Sequence, residues 1–346
     1  MSNLCKSRNR CIFPKTSVMK TITFIALLFP LAVFSQFKLS ENFLVYNRNP
    51  GADNLKKFTY ENLRLYPVIA RDSFKLAFRN LTKFTPLKQA LAQKKVVITE
   101  KGNGGTVNTL TIENKSKDTI IINCGEVIKG GQQDRVINTD MVLYPNSGKK
   151  DLSVFCVEQG RWSSRNEGVR SRSSVSQGAA SFTGYYNYSS VELRKVVEKE
   201  KDQSKVWSKV SEINAKNKTE TSTSTYTALD QSSDYKSKLN KYIYFFTPQI
   251  NSEKDIVGVV VVTGDKVIGA DIFASHELFM QNFDGLLHSY ATEAIINGKA
   301  VTVTQATVNK YVNDLLGSEK RQEETLKRKG SKFEDKGKKI RISSFD

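Results

Sequence analysis

The chain has 346 residues, a formal net charge of +18, 39% hydrophobic and 10% aromatic residues, and only 7 prolines. These values exclude a collagen-like or disordered chain and leave a globular one. The basic excess favours acidic partners such as phosphates, anionic glycans or a lipid surface. Outside the tail, however, the basic residues are scattered, so solubility explains them equally well.

The first segment reads as an export signal. Met19-Lys20 precedes "TITFIALLFPLAVFSQ", whose apolar core runs from Ile22 to Phe34 and closes on Val33-Phe34-Ser35. That core is shorter than the roughly 20 residues of a membrane span, so a cleaved signal peptide over 1–35 is expected, with Met19 a second candidate start. The destination is then the periplasm or the exterior, with no stable membrane span after cleavage. Losing Lys6, Arg8, Arg10, Lys15 and Lys20 lowers the formal charge from +18 to +13. Export argues against nucleic acid as a partner. Cys5 and Cys11 leave with the leader. Cys124 and Cys156 remain, either as a disulfide worth roughly 3–4 kcal/mol or as two separate buried thiols.

Residues 37–316 read as a single α+β domain, a β-rich core of mainly antiparallel strands with helices packed on one side. "LRLYPVIA" (63–70) is a strand with Pro67 at an edge or bulge. "TPLKQALAQKK" (85–95) is a short helix with Thr85 as its cap and Pro86 at its first position. Short strands follow at hairpin spacing: 96–100, 107–114 after a Gly102–Gly105 turn, 118–123, 136–144 and 152–158. Residues 163–188, rich in Ser, Gly and Arg, read as a mobile loop. A long helix starts at a Ser189–Glu192 capping box and has a polar middle, "EKEKDQ". Residues 218–234 read as a Thr/Ser linker. "KYIYFFTP" (241–248) and 256–275 read as strands, the latter a hairpin turning at Gly264-Asp265, with Val259 to Val262 central. Ser275 caps a helix over 276–297, and 307–317 is the last helix. Residues 317–346 are charged and read as a disordered tail.

Two stretches stand out: "CGEVIKGGQQDR" (124–135) and "CVEQGRW" (156–162). Each closes an apolar run with a thiol, a carboxylate two residues later and an arginine. A charge at the end of a buried strand is costly unless it is paired or functional, and Arg135 and Arg161 are the available partners. Gly130-Gly131 would let the backbone approach a ligand. The functional reading is a pocket for a small anionic molecule, built from Gln133, Arg135, Glu158 and Arg161, with Trp162 stacking and Asp271 as a further lining residue. The plain reading is a buried Glu–Arg network that fixes register. Glu126 and Glu158 are the candidate catalytic bases. No phosphate loop or zinc spacing is present, so no cofactor or metal is expected.

The segment 125–162 resembles the signature of the ADP-ribosylglycohydrolase-and-rhodanese/phosphatase-associated protein domain, a family without established activity. Gly130, Gln133, Arg135, Cys156, Glu158, Gly160, Arg161 and Trp162 match the pattern, whereas Gly131, Gln132 and Asp134 depart from it. "DQSKVW" (202–207) and "VIGADIF" (267–273) resemble its later blocks. The resemblance implies a role near ADP-ribose or NAD-derived metabolites, by association. Three functions follow: binding of an ADP-ribose-like or other phosphorylated small molecule, a noncatalytic interaction module, or a hydrolase using Glu126 or Glu158 as base.

Overall fold

Short apolar runs bounded by turn residues decide most of the strands. The computed structural model describes residues 43–45, 52–101, 108–161, 181–219 and 221–346. The expected signal peptide, Trp162, the Gly102–Gly105 turn and most of the 163–188 loop lie outside the described residues.

In chain order the first half comprises β1 (Phe43–Val45), α1 (Ala52–Lys57), β2 (Thr59–Tyr60), β3 (Leu63–Ala70), α2 (Asp72–Ala77), β4 (Phe84–Pro86), α3 (Leu87–Ala92), β5 (Val96–Glu100), β6 (Thr109–Asn114), β7 (Thr119–Ile122), β8 (Glu126–Gly130), β9 (Arg135–Ile137), β10 (Met141–Leu143), β11 (Lys149–Cys156) and β12 (Ser181–Tyr188). The second half comprises α4 (Val191–Lys195), a π turn (Val196–Glu200), α5 (Gln203–Asn217), a 3-10 turn (Tyr226–Gln231), α6 (Ser233–Asn251), β13 (Ile256–Thr263), β14 (Lys266–Phe273), α7 (His276–Asn297), α8 (Gln305–Leu316), α9 (Glu319–Lys329), β15 (Gly330–Asp335) and β16 (Lys338–Phe345).

The strands form an antiparallel sheet in the order β1-β3-β13-β14-β16-β15, with β2 beside β3. A closed barrel runs β11-β6-β5-β12-β8-β9, and a third sheet runs β10-β7-β4. The fold is α+β with a largely antiparallel β core; the β4–β7 pair is parallel. β13 is buried along its whole length. Its alternate residues serve two cores, because successive strand side chains point to opposite faces. Val259 and Val261 pack with Phe246, Phe279 and Leu286, and Val260 and Val262 pack with Phe74, Val308 and Leu315. Helices therefore lie on both faces of this sheet rather than on one. Pro67 sits within the interior strand β3, opposite Val259 and next to a register shift in β13. The barrel has its own filling, including Ile98, Ile112, Ile128 and Val154.

Several local expectations change. The segment 241–248 is helical, part of α6, which carries Pro248 near its end. Its buried residues Tyr235, Leu239, Tyr242, Phe246 and Ile250 recur every three or four positions, a helical stripe that outweighs the strand preference of its aromatic residues. Ser181–Tyr188 is a barrel strand, not loop. The 218–234 segment contains the 3-10 turn and the start of α6 rather than a bare linker. The cap of α4 is Ser190, whose side chain accepts from the Leu193 N–H, one residue later than expected. The long helix breaks at the π turn, where Lys201 takes a left-handed φ of 51° and Asp202 caps the next helix.

The charged tail is folded. Ser318 caps α9. Lys336 and Gly337 turn the final hairpin with φ of 48° and 75°, the two positive values that suit a tight hairpin turn. β16 pairs with β14 and is buried over nearly all its length.

Candidate functional site

The barrel end brings the two expected stretches together. β8 runs into the Gly130–Asp134 loop, β9 returns, and β11 ends at Cys156 beside β9, with Cys156 opposite Arg135. Glu158 then bridges to Thr225.

At this end Arg161 Nη2 lies 2.7 Å from Glu158 Oε2 and 3.1 Å from Asp134 Oδ1. It also donates to the Gly130 carbonyl at 3.1 Å. Asp134 accepts through Oδ2 from the hydroxyls of Thr225 and Thr227 at 3.1 and 2.9 Å. The Asp134 N–H donates to Glu158 Oε2 at 3.0 Å. The Gln133 side-chain amide donates to the Glu158 carbonyl at 2.6 Å. Both carboxylates are buried, while a third of the Arg161 side chain stays in solvent (33%).

Behind this trio Arg135 is sealed. Its Nη1 donates to the Gln133 carbonyl at 2.9 Å and lies 3.6 Å from the Cys156 sulfur. Its Nη2 lies 3.7 Å from Glu100 Oε1. Glu100 also accepts from the Gln132 N–H at 2.9 Å, fastening the glycine loop to β5. Gln203 braces the same corner, exchanging two 2.8 Å bonds with the Cys156 backbone. Gly131 has φ of 55°, and a Cβ there would stand 2.3 Å from the Phe182 ring. The glycines thus let the loop approach the chain's own β12 rather than an open ligand space.

Glu126 and Asp271 belong to different surroundings. Cys124 and Gly125 form a turn, and β8 begins only at Glu126, so the thiol and the carboxylate two residues on do not share a strand. Glu126 pairs with neither Arg135 nor Arg161. It accepts from the Asn123 N–H at 2.7 Å and the Tyr185 hydroxyl at 3.0 Å. Burial raises its pKa to about 7 against the pull of those two donors. Asp271 lies under the central sheet, where Arg194 holds both of its oxygens at 2.5 and 2.9 Å. Arg341 donates to Asp271 at 2.9 Å and to Asp140 at 2.8 Å. The Tyr290 hydroxyl donates to Asp271 at 2.6 Å. Burial alone would raise the Asp271 pKa, but the two guanidinium groups hold it well below the usual range. Asp271 is therefore an ion-pair anchor apart from the barrel-end trio.

Cys124 and Cys156 are both free and buried, so no disulfide joins them. Burial pushes the Cys156 thiol up, with the Arg135 charge opposing it, which makes it a poor nucleophile. Among the described residues no group of His, Cys, Asp and Glu could hold a metal ion, and no helix is long and apolar enough to cross a membrane.

Sequence reasoning missed Asp134, Glu100, Thr225 and Thr227. Asp134 was within reach, standing between two residues already singled out. The threonines come from a segment with no local signal.

The fold and this corner define an α+β protein with a barrel end fastened by paired charges. The chain belongs to the family described as the ARG and Rhodanese-Phosphatase-superfamily-associated Protein domain, whose model matches residues 53–344. No curated protein and no solved structure matches it.

Proposed function

We propose that the chain is an exported, noncatalytic binding module whose barrel end recognises an ADP-ribose-like or other phosphorylated small molecule. The observation that carries this reading is Arg161, partly in solvent while two buried carboxylates and a backbone carbonyl fix its guanidinium. A guanidinium held this way loses little freedom on meeting a planar anion. With Asp134 and Glu158 the trio carries one net negative charge. A ligand would set an anionic group on Arg161 and hydroxyl donors on the two acids, a combination found in ribose phosphates. The family's association with ARG and phosphatase proteins supports the same ligand class by analogy. Export rests on the leader-like pattern at 19–35.

The two candidate bases are engaged within the chain, which favours binding over catalysis. Glu126 and Glu158 each accept hydrogen bonds from their own chain. Those bonds also favour a second reading, in which the cluster only fixes strand register and the chain is an interaction module.

A thermal-shift screen of ADP-ribose, nucleotides and sugar phosphates tests the choice. A ligand at 100 times its dissociation constant adds about 2.7 kcal/mol of stability. The expected result is a shift with ADP-ribose that shrinks in a folded Arg161→Ala variant. A shift indifferent to Arg161→Ala, or no shift with any compound, would leave the second reading standing.

A further inference from the structure

A cleft lies where the end of α5, the start of α6 and the end of α7 meet, with a volume of about 670 Å3. That is within the range of small-molecule sites. Lys216 and Lys218 stand on one wall, Lys238 with Asp234 on a second, and Ile295 and Ile296 on a third. Three cations against one carboxylate leave the lining at net +2, and a concave cationic surface concentrates anions.

The three lysines are not equally engaged. Lys216 lies 2.8 Å from Glu212 and 2.6 Å from Asn297, and Lys238 lies 2.8 Å from Asp234. Lys218 is exposed and makes no ion pair among the described residues. It closes α5 with a left-handed φ of 53°, a position where glycine is the favoured residue. Ile295 and Ile296 are only partly buried, so an apolar surface adjoins the cations. A lone phosphate would leave most of this volume empty and the isoleucine wall uncovered.

We infer that this cleft is a second ligand site, separate from the barrel end, for a small organic molecule carrying two or more negative charges and a ring, of the nucleoside diphosphate class. The charges meet the lysine walls and the ring covers Ile295 and Ile296. Binding draws Lys238 from Asp234 and gives Lys218 its ion partner.

The left-handed backbone makes a clean test available. Lys218→Gly removes the charge and suits the backbone, so the variant should melt no lower than the wild type. Lys238→Gln removes an exposed pair worth little to folding. Calorimetric titration of the full chain with ADP and with pyrophosphate should show saturable binding of both, ADP tighter. The Lys218→Gly/Lys238→Gln double variant should bind each at least about tenfold more weakly, and Arg161→Ala should leave both affinities unchanged. No saturable binding, or equal affinity in the double variant, overturns the proposal. Loss of ADP binding in Arg161→Ala alone would refute the cleft and support the barrel end.

Discussion

Two charged regions of this protein are built on opposite terms. At the barrel end, Arg161 bridges two acids and still reaches solvent. Under the central sheet, Arg194 and Arg341 meet Asp271 with essentially no exposure. The first is made from two short stretches, 130–134 and 158–161, on segments that end barrel strands. The second joins elements spread over the chain, with Arg341 reaching Asp140 across 201 positions. Loops that end strands can present a charge outward, whereas a group enclosed between a sheet and its helices can only be neutralised. The contrast suits the exposed region to the recognition we propose and the sealed one to cohesion.

The largest expected effect lies in the sealed region. Arg341→Ala leaves Asp271 and Asp140 each short of a guanidinium, and removing one partner of a buried pair costs about 3–5 kcal/mol. Burial already raises the pKa of neighbouring Glu198, with Arg341 opposing, so its ionisation adds to the loss. Denaturant unfolding should show a clear fall in midpoint. A change under about 1 kcal/mol would place Arg341 outside the cohesive network.

At the barrel end the backbone is the more sensitive target. Gly131→Ala combines a left-handed φ with a Cβ driven into Phe182, and should cost about 2–3 kcal/mol. An unchanged melting temperature would show that the loop can part from β12, weakening the idea of a rigid platform under Arg161.

Glu126 gives a pH signature. Its pKa rises from 4.5 to about 7 on folding, so the native state holds a proton that the unfolded chain releases earlier. The stability associated with that proton is complete below about 4.5 and is lost as pH climbs to about 7, a swing of about 3 kcal/mol at most. Glu126→Gln should flatten this part of the stability profile and melt higher than the wild type at pH 8. A profile with the same slope in both proteins would assign the titration to another group.

Legibility in the sequence followed the range of the interactions. β3 and the β13–β14 hairpin are apolar runs bounded by turns, and their limits were readable from a few residues. α6 was misread because Tyr242 to Phe246 look strand-like in a short window, while the helical stripe shows only from Tyr235 to Ile250. The folded tail was hidden by its charge, although Lys336-Gly337 followed by alternating Ile340 and Ile342 is a hairpin pattern. The barrel-end meeting of residues 130–135 with 156–161 was legible because Arg161 sits three positions from Glu158, whereas the acid beside Arg135 is the sequence-distant Glu100. The Asp271 network was not, since nothing local ties Arg194, Arg341 and Asp140 to one carboxylate. The expected pairing of Glu126 with Arg135 or Arg161 failed because the turn at Cys124-Gly125 places Glu126 against Asn123 and Tyr185.

Amide hydrogen exchange of the full chain, with and without ADP-ribose, addresses the division of roles most directly. Ligand should slow exchange at residues 130–134 and 158–161 while β14 and β16, already protected, stay unchanged. Slowing confined to the central sheet, or none at the barrel end under saturating ligand, would contradict the assignment of recognition to Arg161 and its two supporting acids.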